Sequence, residues 1–231
     1  PDPRLEQMAL ARLRQLSAHE VGHTLGLTHN FAASYNDRAS VMDYPHPYIA
    51  LDDKGEMDFS AAYDTGIGEW DKQAIVYGYQ DFPDGKDEAA ELQNILQQTI
   101  TMGLKFISDE GARPAGGGHP HAHLWDNGAS PAEELERILK VREKALEGFG
   151  ENNLPEGTPL AALEDVLVPL YFSHRYQVEA VAKLIGGLEY AYAVRGGGKG
   201  QGAAAEVVSP ELQLQAVKAL QQTLNPRVLA L

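Results

Sequence analysis

The sequence predicts a mainly α protein, and three observations carry that expectation. Helix-start signals recur along the chain: Asp2 before Pro3, the run Ser130-Pro131-Ala132-Glu133, and Thr158 before Pro159. Residues 86 to 107 are rich in strong helix formers. From Leu163, the apolar positions Leu167, Leu170, Val178, Val181, Ile185, Leu188 and Tyr192 follow steps of about three and four, which keeps one face inward.

With Asp2 as N-cap and Pro3 as its first residue, the opening helix is predicted to run to about Leu25. It carries His19-Glu20-Val21-Gly22-His23-Thr24-Leu25-Gly26-Leu27-Thr28-His29 in its last turns and just beyond. His19 and His23 are four apart, so on a helix they project from one face, one turn above the other, and can grip one metal ion. Tetrahedral zinc, with nitrogen ligands at about 2.0 to 2.1 Å, needs a third protein ligand and leaves its fourth position to water. His29 can supply that ligand if the chain leaves the helix sharply, and Gly26 tolerates the left-handed conformation such an exit requires. Glu20 leans beside the open metal position, where a general base must sit. A chance occurrence of this spacing in a chain of this length is on the order of 10⁻⁵, which sets aside a plain helix with solvent-facing histidines.

Farther on stands Ser40-Val41-Met42-Asp43-Tyr44. Together with the histidine motif, this run resembles the metzincin clan of zinc endopeptidases, whose three-histidine signature is followed by a tight turn containing methionine. The resemblance implies that Met42 forms a hydrophobic floor under the histidines without binding metal. It also implies that Tyr44, two residues on, is the tyrosine that in some branches serves as a switchable zinc ligand and stabilises the oxyanion. A finer resemblance is to a bacterial Met-zincin-type family of zinc-dependent metalloproteases. It is carried by His29-Asn30-Phe31-Ala32-Ala33-Ser34, by Ser40 to Tyr44, and more weakly by Trp125-Asp126-Asn127-Gly128. Asn30 departs from the residue that usually follows the third histidine in the better-known branches.

The resemblance implies zinc-dependent peptide-bond hydrolysis, with His19, His23 and His29 as ligands of Zn2+, Glu20 as general base, and a peptide or protein as substrate. It divides the chain into residues 1–80, the zinc-helix and Met-turn part of a metzincin catalytic domain, and residues 81–231, a helical extension. Metzincins place a twisted β-sheet before the zinc helix, so the upstream sheet is expected to be missing from this chain. On that expectation the isolated chain binds zinc and cleaves peptides poorly. A secreted or periplasmic setting follows by the same resemblance. Two other functions fit the same residues: a zinc amidase acting on cell-wall peptides, and a non-catalytic, zinc-stabilised helical interaction module. The intact Glu20 weighs against the last, because a structural site needs no base.

Residues 45 to 66 lack a sustained period and read as ordered loop over the site. His46, between Pro45 and Pro47, reads as an exposed loop histidine near the rim. Glu69 to Tyr79 makes a short helix that Gly78 can end, similar to the closing helix of metzincin catalytic domains. Pro169 should break or kink the long stripe that follows Leu163, on which His174 reads as a core histidine. A last helix is predicted over 209–223. His119, His121 and His123 alternate, so on an extended stretch they would face one way and could hold a second metal. Asp109, Glu110 and Asp126 could offer calcium its hard oxygen ligands, but no calcium-loop spacing is present, and chance clustering is the expectation. Arg195 to Gly202 lacks the Ser or Thr of a phosphate loop and reads as a flexible glycine-rich connection.

At 231 residues, the chain is long enough for one good domain or two small ones. With 33 acidic against 19 basic residues, its formal net charge is -14, which disfavours nucleic acid and anionic lipid as partners. It contains no cysteine, which excludes disulfides and thiolate ligands. No run of 18 uncharged apolar residues exists, so no membrane span is expected. Oligomeric state is not legible.

Overall fold

A computed structural model describes residues 2–196 and 205–230, and within them the protein is mainly helical with two very small sheets. Helix α1 spans Pro3–Thr24. It starts where a carboxylate can cap it: Asp2 Oδ1 accepts the Arg4 amide at 2.9 Å. It ends in a Schellman motif, with the Leu27 amide donating to the Gly22 carbonyl and the Gly26 amide to the His23 carbonyl, both at 3.0 Å. Gly26 takes φ 84° there, as the expected sharp exit requires.

After the Met-turn, residues 45–66 are loop except for a short antiparallel pair, β1 (Ala50–Leu51) and β2 (Met57–Asp58), with Ala50 opposite Asp58. Helix α2 covers Glu69–Tyr79, running through Gly78 rather than stopping at it. Helix α3 covers Glu88–Thr101, shorter than the helix-forming composition of 86–107 predicts. Gly103 turns the chain at φ 73°, and residues 104–107 form no helix or strand; there the Ile107 carbonyl accepts the Phe31 amide at 2.8 Å. A tertiary bond partner thus overrides local helix propensity. The single-turn α4 follows at Asp109–Ala112.

Helix α5 spans Pro131–Glu147 behind its predicted Ser130 cap. The long stripe from Leu163 does not make one helix. It divides into α6 (Leu163–Tyr171) and α7 (Arg175–Ala182), because Pro169 lies inside α6, has no amide to donate, and the helix stops two residues later. Beyond α7, Gly186 turns the chain at φ 68° and Ile185, Leu188 and Tyr192 are exposed, so the stripe's last third does not face a core. Strand β3 (Leu188–Glu189) pairs antiparallel with β4 (Glu206–Val207). The glycine-rich connection expected at 195–202 lies outside the described residues from position 197 onward. Helix α8 (Pro210–Thr223), capped by Ser209, matches the predicted last helix, and a turn of helix, α9 (Pro226–Leu229), follows it.

The buried side chains form three clusters. Leu135, Val181, Leu184, Ala216 and Ala219 fill the space between α5, α7 and α8. Ala33, Ala39, Val41, Met42 and Trp70 pack the Met-turn against α1 and α2. In the third, Phe31 and Ala32 pack against Ile107, Ala112 and Ala122, so residues from beyond position 100 close directly over the segment after His29. Among the described residues, no helix is long and apolar enough to cross a membrane.

Candidate metal centre

The three motif histidines converge. One ring nitrogen from each of His19, His23 and His29 lies within 4.8 Å of the others, and among the described residues this is the one group of three side chains able to share a metal ion. Helix spacing delivers the first two, and their Nε2 atoms stand 3.1 Å apart. The Gly26 exit delivers the third, with its ring centroid 4.8 Å from that of His23 and 5.4 Å from that of His19.

Each imidazole is held from behind. Nδ1 of His19 lies 2.7 Å from the Val41 carbonyl, Nδ1 of His23 lies 2.9 Å from the Leu27 carbonyl, and Nδ1 of His29 lies 2.8 Å from Asp109 Oδ2. Carbonyl and carboxylate oxygens can only accept, so each Nδ1 carries the hydrogen and each Nε2 presents a lone pair. Two lone pairs 3.1 Å apart repel unless a cation lies between them. Ligands about 2.0 to 2.1 Å from a tetrahedral ion stand roughly 3.3 Å from one another, close to that separation. Nε2 of His29 is buried without any hydrogen-bond partner. The donor set fits a metal ion such as zinc: three imidazoles, no thiolate, and a second layer already in place. Burial, with help from the neighbouring histidines, pulls the His19 imidazole below its usual pKa, which keeps it neutral and able to ligate despite an opposing push from the Val41 carbonyl and the Glu20 charge.

The Met-turn is fastened to α2 by Asp71. This buried carboxylate accepts from Ser40 Oγ at 2.5 Å, the Val41 amide at 2.8 Å and the Gly68 amide at 2.7 Å. The same turn aims the Val41 carbonyl at His19. Met42 is fully buried against Gly22 of α1, and Tyr44 places its ring centroid 4.9 Å from those of both His19 and His29. Glu20 is exposed on the helix beside His19. The Tyr44 carbonyl accepts the Trp125 amide at 2.9 Å, and Trp125 holds φ 72°, a rare conformation for a bulky residue.

Other expected site residues end elsewhere. His46 is half-buried rather than exposed, with its ring centroid 5.4 Å from Trp125 and 5.8 Å from Tyr176, and burial lowers its pKa. His119, His121 and His123 do not face one way, because the chain turns at 120–121. Nε2 of His119 meets the Tyr190 carbonyl at 3.1 Å, His121 lies 3.5 Å from Glu189, and His123 lies 3.4 Å from Glu179. They are therefore not one metal site. Asp109 turns toward His29 while Asp126 is buried under Asp43 and Ser34, so the acidic trio is not a shared site either. His174 sits at the start of α7, half-buried with Nδ1 unpartnered, instead of in the core.

The sequence motif does not point to Asp71 or to the role of Asp109, because both reach the centre through tertiary packing. Asn30 carries a readable signal, being an amide where other branches have a different residue. Its Nδ2 donates to the Lys105 carbonyl at 2.9 Å and its Oδ1 accepts the Ile107 amide at 3.3 Å. The amide offers a donor and an acceptor at once, and both are used here.

A family model described as Met-zincin matches residues 1–230. No curated protein and no solved structure matches the chain.

Proposed function

The chain belongs to the Met-zincin family, and on that premise we propose that it is a zinc-dependent metallopeptidase that hydrolyses peptide bonds, with His19, His23 and His29 as the zinc ligands. The observation that carries the reading is the orientation of the three imidazoles, each tied through Nδ1 and each leaving Nε2 for a shared ion.

Zinc held by these nitrogens would supply Lewis acidity, polarising a carbonyl and lowering the pKa of water toward about 7. Glu20 is the general base: an exposed carboxylate one residue from His19 accepts a proton from the attacking water and passes it to the leaving amine. The Tyr44 hydroxyl donates to the developing oxyanion, its ring being set beside His19 and His29. Met42 supports the ligands from below by packing alone. The substrate is a peptide or protein, and the enzyme works outside the cytoplasm.

The test separates metal from chemistry. Glu20→Gln is expected to keep one zinc per chain and lose peptide hydrolysis, whereas His23→Ala is expected to lose both. A Glu20→Gln protein that hydrolyses peptides at the wild-type rate removes Glu20 from the mechanism.

A further inference from the structure

We propose that Asp109 is a positioning residue of the metal centre: its carboxylate fixes the tautomer and orientation of His29, so the zinc site is completed by a segment 80 residues away from the motif. This inference rests on the zinc reading above and deepens it.

The three ligands are not supported alike. His19 and His23 lean on main-chain carbonyls of Val41 and Leu27, which belong to the motif region itself. His29 lies beyond the helix, where no helical backbone positions it, and its Nδ1 donates to a carboxylate at 2.8 Å. A carboxylate accepts more strongly than a carbonyl and raises the basicity of the imidazole it holds, so its removal typically weakens metal binding by about 10- to 100-fold.

Asp109 is itself held in place. Ile107 accepts the Phe31 amide at 2.8 Å, and the Asn30 side chain grips both Lys105 and Ile107, so the residues next to His29 hold the segment that leads to Asp109. The Ser108 amide donates to the Tyr192 hydroxyl at 3.1 Å. Gly111 lets α4 approach that tyrosine pair, since a Cβ there would lie 2.7 Å from the Tyr190 hydroxyl. Lys183, reaching across from α7, donates to the Ala112 carbonyl at 2.9 Å and the Ala122 carbonyl at 2.7 Å. Arg113 occupies the other carboxylate oxygen at 3.1 Å, leaving Oδ2 to His29.

The experiment uses the full chain with zinc as the probe. Zinc dissociation constants are measured by chelator competition for wild type, Asp109→Ala, Asp109→Asn and, as control, Glu110→Gln, an exposed neighbour on α4. Ring ¹⁵N shifts of His29 in the metal-free proteins report its tautomer. Asp109→Ala is expected to weaken zinc about 10- to 100-fold and to release the Nδ1–H tautomer into a mixture. Asp109→Asn, which keeps an acceptor oxygen, should recover part of both, and Glu110→Gln should match wild type. If Asp109→Ala does not fold, Asp109→Asn alone decides, with weaker zinc binding expected. Unchanged affinity and an unchanged His29 tautomer in the folded variants overturn the proposal. A wild-type protein that takes up no zinc overturns the metallopeptidase reading, while the His29 tautomer in metal-free protein still decides whether Asp109 orients it.

Discussion

The Met42 sulfur occupies the space that a side chain at Gly22 would need, 2.3 Å from where a Cβ would lie. Gly22 sits between His19 and His23 on α1, and Met42 is fully buried, so the sulfur cannot withdraw without repacking the Met-turn. Gly22→Ala gains about 1 kcal/mol of helix propensity and meets an overpacking cost of about 1–3 kcal/mol. We expect the variant to be less stable by about 1 kcal/mol and to bind zinc more weakly, read by denaturant unfolding and chelator competition. Adding Met42→Ala should relieve part of the clash, giving a favourable coupling between the two changes. A Gly22→Ala protein with wild-type stability and affinity would show that the turn does not brace the helix.

Asp71 links the Met-turn to α2 through three accepted hydrogen bonds, two of them from backbone amides. Asp71→Ala strands those donors in a buried place, at about 1–3 kcal/mol each for those that find no water. A loss of about 2–4 kcal/mol in unfolding free energy is expected, with weaker zinc binding because the Val41 carbonyl no longer steadies His19. A change below about 1 kcal/mol would mean that water replaces the carboxylate.

Asp43 and Asp126 form a buried acidic pair. Burial lifts the Asp43 carboxyl to about 7 against an opposing pull from the Tyr44 and Ser34 amides. It raises Asp126 well above the usual range, with the Asp43 charge adding to the effect. In the unfolded chain both ionise near 3.8, so between that pH and about 7 the folded protein binds more protons than the unfolded one. Stability contributed by the pair is therefore greatest at low pH and is lost as pH rises through the folded values. Asp126→Asn should match wild type near pH 4 and become progressively more stable than wild type as pH rises toward 8. The comparison is the difference between the two unfolding curves across this range, which cancels the buried histidines. A difference that shrinks as pH rises would reverse the sign.

The motif's local geometry could be read from spacing because it depends on it: two histidines four apart on a helix, a glycine exit, and a third histidine three residues beyond that glycine. The same holds for the caps at Asp2 and Ser130, whose side chains bond amides two or three residues away; Thr158, expected to start a helix in the same way, does not cap one, since a short 3-10 turn begins at Leu160 with no side-chain cap. What the sequence concealed depends on long-range partners. Asp109 reads as one acid in a chance cluster until folding places it 2.8 Å from His29. The helix expected over 86–107 stops early because Ile107 finds Phe31 as a backbone partner. The apolar stripe after Leu163 has helical spacing throughout, but Pro169 and Gly186 interrupt the backbone that would carry it.

X-ray absorption at the zinc edge, recorded on the protein loaded with one equivalent of zinc, tests the three-imidazole centre most directly. Three nitrogen neighbours at about 2.0 to 2.1 Å with imidazole multiple scattering, plus one oxygen ligand without it, are predicted. Zinc bound by one imidazole or none, or protein that retains no zinc after dialysis, would contradict it.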